Sequence, residues 1–346
     1  MRLRALVLAA GLGSRLRPLT DAIPKPLLPV AGIPVLQYTL ERLVAVGCEA
    51  AAINLHHHGT RVRHHFGASF AGMPLVYSQE PELLGTLGAL YPLGRFFSAA
   101  DLVLLINGDS LCRWPLDLLI RRHRAALPLA TLLFTSRADP AAFGGGVGVD
   151  AAGRVLSMRP GDPERGAVAR RLVFAGAHVL SRELVHDIQG AAGSRPAQPA
   201  PSVPPSDIVR DLYAPMLAAG ADGVLAGLVT SQRWHDLGTP RRYLTAVLDW
   251  LRGTRHTSWI SPRAELGAGA AVRGAIVEAG VRIGPGARVE RSLLLPGARL
   301  AEGSAVRDSI VSYGAEVAAG ASVQGRIVVA QPDGSAAESP LAGAPG

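Results

Sequence analysis

The sequence is poor in cysteine and in lysine. It has two cysteines, Cys48 and Cys112, and no Cys-x-x-Cys spacing, which argues against a disulfide framework and a zinc ribbon. We therefore expect a reducing, cytoplasmic setting. Of the 35 basic residues only Lys25 is a lysine, and the other 34 are arginines. Lys25 therefore stands out before any motif is considered.

Long apolar runs and blocks of like charge are also missing. No stretch approaches the ~18 consecutive apolar residues of a membrane-spanning helix, so we expect no membrane partner. The N-terminal apolar run, Ala5 to Ala10, is shorter than the ~7–15 residues of a signal peptide and is interpreted as a buried first strand. The net charge of +8 is spread along the chain, so we expect no nucleic-acid partner.

The composition is typical of a globular protein, because 48% of the residues are apolar and 18% are charged. Residues 1–253 alternate short apolar runs with amphipathic segments. This pattern predicts an α/β domain with a Rossmann-like, mostly parallel sheet and helices on both faces. The predicted strands are Leu3–Ala10, Ala50–Asn54, Leu75–Ser78, Leu102–Asn107 and Ala130–Phe134.

Three helices in this domain have clear sequence signals. Val35–Val46 and Leu116–Ala126 carry apolar residues at helical spacing. Thr239 and Pro240 form an N-cap and first-turn pair for a third helix, which ends before Gly253. The proline-rich stretch at 193–205 is predicted to be a surface insertion.

Residues 257–330 contain a 17-residue repeat. Aliphatic residues recur in three registers, at Ile260, Val277, Leu294, Val311 and Val328, at Leu266, Ile283, Leu300 and Val317, and at Val272, Val289, Val306 and Val323. Each period therefore predicts three short strands with glycine at the corners, that is, a parallel β-helix of about four turns. Residues 331–346 lack this period and are predicted to be a disordered tail.

The most informative segment is LAAGLGSRLRPLT, residues 8–20, followed by PKPLLPV, residues 24–30. A strand that runs into a glycine-rich turn exposes backbone N–H groups at the carboxyl edge of a sheet, where anions bind. The dinucleotide fingerprint GxGxxG does not fit, because Leu16 replaces its third glycine. The P-loop does not fit either, because prolines flank Lys25.

These two segments resemble the sugar-1-phosphate nucleotidyltransferases, also called nucleotide-sugar pyrophosphorylases. The resemblance covers residues 1–250, and in this family a hexapeptide-type left-handed β-helix can follow the catalytic domain. It implies that Ala10, Gly11 and Gly13 wrap the nucleotide. It also implies that Arg15 grips the phosphates and that Lys25 faces the reacting phosphoryl group.

Further motifs resemble the family in the same order. The loop LGTLGAL, residues 84–90, is similar to the base-recognition loop. The implied nucleotide contacts are Glu80, Gly85, Thr86 and Gly108. Asn107-Gly108-Asp109 and the segment WHDLGTP, residues 234–240, supply the two carboxylates that the resemblance assigns to Mg²⁺, Asp109 and Asp236.

The sugar-phosphate side departs from the family pattern. Met158-Arg159-Pro160 stands where the family has Glu-Lys-Pro, so Arg159 is the implied phosphate ligand, in a bidentate form that a lysine lacks. Gly145 in the loop FGGG and Gly176 in the strand FAGAHVL are the implied sugar contacts.

The resemblance implies the reaction of an NTP with a sugar 1-phosphate to give an NDP-sugar and pyrophosphate. The two loops are most similar to mannose-1-phosphate guanylyltransferases, which implies GTP and mannose 1-phosphate. Thymidylyl or uridylyl transfer to glucose or N-acetylmuramate phosphates, and a non-catalytic nucleotide-sugar-binding subunit, stay open. Residues 257–346 contain no histidine, which the acetyltransferase site of bifunctional relatives needs, so we interpret the β-helix as structural, regulatory or a homo-oligomer contact.

Overall fold

The computed structural model describes residues 1–164, 166–193, 205–220, 223–254 and 256–341. Apart from its two end residues, the predicted insertion at 193–205 lies outside the described residues. The chain divides into two compact units. The first comprises Met1–Leu12 and Tyr38–Trp234, and the second comprises Gly13–Gln37 and His235–Gly346. No helix in the described part of the chain has the length and apolar character needed to cross a membrane.

The elements up to residue 254 are as follows. The strands are β1 (Leu3–Leu8), β2 (Pro29–Val30), β3 (Ile33–Pro34), β4 (Ala50–Leu55), β5 (Ser69–Phe70), β6 (Met73–Gln79), β7 (Leu102–Asn107), β8 (Ser110–Cys112), β9 (Ala130–Thr135), β10 (Val147–Val149), β11 (Val155–Ser157), β12 (Arg170–Ser181), β13 (Leu225–Thr230) and β14 (Trp234–Asp236). The α-helices are α1 (Leu19–Ala22), α2 (Val35–Ala45), α3 (Gly59–Phe66), α4 (Gly85–Gly88), α5 (Gly94–Phe97), α6 (Leu116–Ala126), α7 (Arg182–Gly193), α8 (Ala214–Ala218) and α9 (Pro240–Arg252). Short 3₁₀ turns lie at Ser14–Leu16, Lys25–Leu27, Tyr91–Leu93 and Pro140–Phe143, and a π-helical turn lies at Val209–Tyr213.

The first unit is built on a ten-stranded sheet in the order β11-β10-β12-β7-β1-β4-β6-β5, with β9 paired to β12 and β13 to β9. Strands β7, β1, β4 and β6 are parallel neighbours, as predicted. The sheet is mixed, because the long strand β12 runs antiparallel to both β7 and β9. Its core includes Leu6, Leu105 and Ile188.

Several local predictions are confirmed to the residue. Strand β7 and helix α6 have the predicted bounds. Helix α9 begins after Thr239, whose side chain accepts a hydrogen bond from the backbone N–H of Arg242 at 3.3 Å.

Strand β1 ends at Leu8, before the predicted Ala10. It ends there because the next N–H, of Ala9, donates to the Asn54 side chain.

The second unit contains the predicted parallel β-helix. Its strands are β15 (Trp259–Ile260), β16 (Glu265–Leu266), β17 (Ala271–Arg273), β18 (Ile276–Val277), β19 (Arg282–Ile283), β20 (Arg288–Glu290), β21 (Leu293–Leu294), β22 (Arg299–Leu300), β23 (Ala305–Arg307), β24 (Ile310–Val311), β25 (Glu316–Val317), β26 (Ser322–Gln324), β27 (Arg326–Ala330) and β28 (Ala336–Pro340). Three parallel ladders link successive coils, and they pair Val277 with Leu294, Ile283 with Leu300, and Val289 with Val306. The three predicted registers are therefore confirmed, and from the second coil onward their side chains form a buried interior.

The two ends of the β-helix differ. In the first coil Ile260 and Leu266 are 38% and 43% exposed. At the other end Ala336–Pro340, which we predicted as part of a disordered tail, forms β28 antiparallel to β27. Backbone pairing with the open edge of the last coil orders this segment without an apolar pattern. Residues 342–346 lie outside the described residues.

Candidate active site

The second unit brings Lys25 and Asp236 together. Lys25 begins a 3₁₀ turn between Pro24 and Pro26, and its side chain is only 7% exposed. Its Nζ lies 3.9 Å from Asp236 Oδ1. Arg242 donates a hydrogen bond to the other carboxylate oxygen, Oδ2, at 2.7 Å. Each carboxylate oxygen of Asp236 therefore lies near a positively charged side chain.

Arg242 was missed in the sequence analysis. It is the third residue of α9, and its backbone N–H is the group that Thr239 caps. The cap thus fixes the start of the helix, and its third residue lies beside Asp236. A basic residue three positions after the N-cap of a motif-bearing helix is the signal that could have identified it.

Glycine at 238 leaves room for the Asp236 carboxylate and the Arg15 guanidinium on the same side of the chain. A Cβ at Gly238 would lie 2.7 Å from Asp236 Oδ2 and 3.3 Å from an Arg15 guanidinium nitrogen. Gly13 has φ +62°, and a Cβ there would lie 2.9 Å from the Thr20 side chain. The predicted residues Arg15, Lys25 and Asp236 are therefore placed together in the second unit.

A chain of buried polar groups runs along the carboxyl edge of the sheet in the first unit. The N–H of Ala9 donates to Asn54 Oδ1 at 2.7 Å, and Asn54 Nδ2 donates to Glu80 Oε1 at 2.8 Å. The N–H of Leu84 donates to Glu80 Oε2 at 3.0 Å. This chain links the ends of β1, β4 and β6 to the first residue of the predicted base-recognition loop.

The contacts of Glu80 indicate a supporting role. Its carboxylate is 1% exposed, and burial raises its pKa although Asn54 and Leu84 donate to it. Both oxygens are used to hold protein groups, so its direct contact with a nucleotide stays a prediction. Asn54 was missed, although a polar residue at the end of the apolar strand Ala50–Asn54 was visible in the sequence.

The predicted base-recognition loop, residues 84–90, is paired with the segment that starts at Ser206. Ser206 donates its N–H to Leu84 O at 2.9 Å and accepts from the N–H of Leu87 at 3.0 Å. Gly85 has φ +80°, and any Cβ there would overlap the Ser206 carbonyl oxygen. The loop geometry therefore requires glycine at this position.

Thr86 uses its hydroxyl in the same pairing. It accepts from the N–H of Ile208 at 2.8 Å and donates to Asp207 Oδ2 at 3.3 Å. A nucleotide contact by Thr86 stays a prediction. Neither Ser206 nor Asp207 was identified from the sequence, and no motif marks them.

The ends of β1 and β7 lie side by side, with Leu8 paired to Asn107. Gly108 follows Asn107 and donates its N–H to Leu8 O at 2.9 Å. Gly176 has φ +81°, and a Cβ there would lie 2.6 Å from Asn107 Nδ2. The predicted residues at this edge are Ala10, Gly11, Gly108, Asp109 and Gly176.

The predicted sugar-phosphate residues Gly145 and Arg159 are also close in the first unit. Gly145 has φ +86°, and a Cβ there would overlap the Pro160 ring. Asp162 Oδ2 accepts hydrogen bonds from the backbone N–H groups of Met158 at 3.1 Å and Arg159 at 2.8 Å. These bonds hold residues 158–162 in a turn. The Arg159 residue is exposed.

The two aspartates are suited to a hard cation by their ligand type. Among the residues that the structure describes, no group of three or more His, Cys, Asp or Glu side chains is placed to hold a metal ion. Mg²⁺ in nucleotide sites is usually held by one or two carboxylates, water and substrate phosphates. Asp236 is 20% exposed and offers oxygen donors of that kind.

The sequence matches two known families. Residues 4–253 match the nucleotidyl transferase family, and residues 249–326 match the GlmU-like C-terminal hexapeptide family. The chain belongs to the nucleotidyl transferase family. The second match agrees with the predicted hexapeptide-type left-handed β-helix. This nucleotidyltransferase family generally uses a divalent metal ion, and NTP and sugar phosphate fit it as substrates.

Curated relatives share most of the length of this nucleotidyltransferase. A mannose-1-phosphate guanylyltransferase of Mycobacterium tuberculosis is 30% identical over 81% of this chain and 80% of its own. A catalytic subunit beta of that name from Drosophila pseudoobscura pseudoobscura is 28% identical over 77% of this chain and 67% of its own. The solved structure of HddC from Yersinia pseudotuberculosis has a TM-score of 0.54 and 22% identity, covers 71% of this chain and 99% of its own, and supports the fold.

Proposed function

We propose that this nucleotidyltransferase transfers a guanylyl group from GTP to mannose 1-phosphate, which gives GDP-mannose and pyrophosphate. The names of the relatives support this choice of substrates. The observation that carries the reaction class is the cluster of Arg15, buried Lys25 and Asp236 in the second unit.

In this reaction a phosphate oxygen of mannose 1-phosphate attacks the α-phosphorus of GTP. A new P–O bond forms, the bond from the α-phosphorus to the bridging oxygen breaks, and pyrophosphate leaves. No side chain needs to become covalently attached. The protein supplies alignment and positive charge, with Lys25 on the transferred phosphoryl group and Arg15 on the leaving phosphates.

The remaining candidate residues bind the substrates in this proposal. Ala10, Gly11, Gly13, Gly85, Thr86 and Gly108 approach the nucleotide, and Glu80 supports the loop through Leu84. Gly145, Arg159 and Gly176 take the sugar phosphate. Asp109 and Asp236 would hold Mg²⁺, which neutralises phosphate charge when bound.

A pyrophosphate-release screen tests the proposal. GTP, ATP, UTP and dTTP are each combined with mannose, glucose and N-acetylmuramate 1-phosphates in the presence of Mg²⁺. We expect the highest kcat/KM with GTP and mannose 1-phosphate. Preference for dTTP or UTP would replace this substrate pair by a thymidylyl or uridylyl reaction.

Absence of turnover together with tight NDP-sugar binding would favour the non-catalytic subunit. The retention of Lys25, Asp109 and Asp236 argues against that alternative, because such subunits typically lose the lysine or a metal carboxylate.

We also infer a homo-oligomer formed through the β-helix. Hexapeptide repeats favour oligomerisation, and the exposed Ile260 and Leu266 leave an apolar surface on the first coil. Light scattering on the wild type and on Leu266→Arg tests this. An unchanged mass for the variant would exclude the first coil as the contact.

A further inference from the structure

The β-helix contains one buried carboxylate that the proposed reaction does not use. Glu278 follows β18 and is 1% exposed. The positions one period before it, one period after it and two periods after it are Ser261, Leu295 and Ser312, which are also buried. A buried carboxylate requires partners, because desolvation of the charge is otherwise costly.

The partners of Glu278 are backbone N–H groups of the β2–β3 hairpin. The N–H of Gly32 donates to Oε1 at 3.1 Å and to Oε2 at 3.0 Å, and Ala31 also donates a backbone hydrogen bond. Ala31 and Gly32 have φ of 51° and 79°, as the two central residues of a type I′ turn do. A Cβ at Gly32 would lie 3.1 Å from the Trp259 ring. The tip of the hairpin is thus held by the first two coils of the β-helix.

The β2–β3 hairpin follows the 3₁₀ turn of Lys25 in the chain, with only Leu28 between them. The N–H of Leu28 donates to Lys25 O at 3.1 Å, and the N–H of Val35 donates to Leu28 O at 3.0 Å. The Tyr243 hydroxyl of α9 donates to Pro29 O. The backbone from Lys25 to the end of the hairpin is therefore fixed at its base by its own hydrogen bonds and at its tip by Glu278.

We propose that Glu278 is a positioning residue, which acts from the β-helix through the Ala31–Gly32 turn to hold Lys25 in place. This rests on the catalytic role proposed for Lys25. It gives the β-helix a function in the reaction that is separate from oligomerisation.

The ionisation of Glu278 supports this role and makes it testable. Burial raises the pKa of Glu278 to about 7, although Gly32 and Ala31 donate to it. The titratable groups that face it are Tyr243 of α9 and Tyr313 of the β-helix, and burial raises the pKa of both hydroxyls. Since charge-assisted hydrogen bonds are the stronger ones, ionisation strengthens the hydrogen bonds that the turn donates to Glu278, whereas desolvation of the charge lowers the stability of the folded state.

The first experiment measures steady-state kinetics of Glu278→Gln, which keeps the shape but removes the charge. We expect kcat at pH 8 to fall ~10-fold while both KM values stay within about two-fold, because misplacing a charged group costs turnover. Val306→Ala is the control, since Val306 is 1% exposed inside the same β-helix and its loss lowers Tm. An equal fall of kcat in Val306→Ala would reduce Glu278 to a structural role.

A double mutant asks whether Glu278 acts through Lys25. In a Lys25→Ala background, we expect Glu278→Gln to have no further effect on the residual rate. Independent, multiplicative losses would overturn the proposal.

A third experiment needs no substrate. Lys25 is the only lysine in the chain, so its side chain can be observed selectively. Protein labelled with [ε-¹³C]lysine gives one side-chain NMR signal, which reports on Lys25 alone. We expect a chemical-shift change with a midpoint at about 7 in the wild type, its loss in Glu278→Gln, and its retention in Val306→Ala.

A wild-type signal without this midpoint, or the same midpoint in Glu278→Gln, would overturn the inference. If no substrate pair turns over, the proposed function fails while the NMR result still decides the coupling. If the Lys25→Ala variant has no turnover but the Glu278→Gln variant turns over at the wild-type rate, only the positioning role fails.

Discussion

The Lys25 ammonium lies 3.9 Å from Asp236 Oδ1, and both side chains are largely buried. Lys25 lies in the 3₁₀ turn that follows Pro24, and Asp236 is the last residue of β14, shortly before α9. A buried ion pair is costly to form, and it needs close geometric support. The arrangement therefore favours a compact ammonium at position 25 over a bulkier cation.

We expect Lys25→Arg to lower kcat by ~10²-fold or more, because a planar guanidinium meets phosphate oxygens at a different distance. Steady-state kinetics with the preferred substrates measures this. Arg121→Lys is the matched control, since Arg121 is 66% exposed on α6. Near-wild-type turnover of Lys25→Arg would end the assignment of Lys25 to the reaction.

The two candidate metal ligands can be tested one at a time. We expect Asp236→Asn and Asp109→Asn each to lower kcat by ~10²-fold and to raise the Mg²⁺ concentration that gives half-maximal activity. Activity is measured across a Mg²⁺ titration after treatment with a chelator. Asp117→Asn, at an exposed position of α6, serves as the control. An unchanged Mg²⁺ requirement in Asp236→Asn would remove that residue from the metal site.

The polar chain through Asn54 makes a separate prediction about nucleotide binding. Asn54→Ala leaves the Ala9 N–H and the Glu80 carboxylate without their partner, which costs ~2 kcal/mol of stability. Because this polar chain supports the predicted base-recognition loop, we expect the KM for GTP to rise ~10-fold.

Thr131→Ala is its matched control. Thr131 is fully buried and lies 2.9 Å from the His123 ring, away from this chain. It should lower Tm and leave the KM for GTP unchanged. Equal KM effects in the two variants would assign Asn54 to stability alone.

Glycine at 85 is required by contact as well as by φ. Gly85→Ala would bring a methyl group onto the Ser206 carbonyl, whereas Gly47 has a similar φ of +72° with nothing within 4 Å. We expect Gly47→Ala to cost ~1 kcal/mol from backbone strain alone. Gly85→Ala should cost more and should also raise the KM for GTP, as measured by denaturant unfolding and kinetics. Equal losses in the two variants would contradict the pairing with Ser206.

Patterns that are local in the sequence predicted the structure well. The apolar run Leu102–Asn107, the amphipathic Leu116–Ala126 and the Thr239 cap each depend on neighbouring residues, and all three are confirmed. The β-helix was predictable for the same reason, because its ladders pair residues at a constant separation of 17. Lys25 was identified by composition and by its motif.

Long-range pairings were not predictable. Nothing in the sequence indicates that β12 runs antiparallel to β7, since apolar strands of either direction look alike. Asn54 and Glu80 meet only because the ends of β4 and β6 are neighbours. Glu278 could be read as a solvated charge at a coil corner, and only the hairpin that covers it shows otherwise.

The raised pKa of Glu278 also predicts how stability depends on pH. The pKa rises from 4.5 to about 7 on folding, so the folded state favours the neutral acid. The stabilisation that this provides is fully present below about pH 4.5 and is lost as the pH rises to about 7. At 1.36 kcal/mol per pKa unit the loss is about 3 kcal/mol.

Glu278→Gln stays neutral at every pH, so its stability should match the wild type at pH 5 and exceed it at pH 8, where Tm should be higher by several degrees. The same variant is expected to have a lower kcat at pH 8. Thermal unfolding between pH 5 and 9 measures the difference, with Glu302→Gln, an exposed glutamate of the same β-helix, as the control. A purely structural carboxylate would make the variant less stable at pH 8 as well as less active. If Glu278→Gln is more stable than the wild type at pH 8 but turns over more slowly, the charge of Glu278 serves to position Lys25. If the variant is both less stable and slower, the charge serves folding.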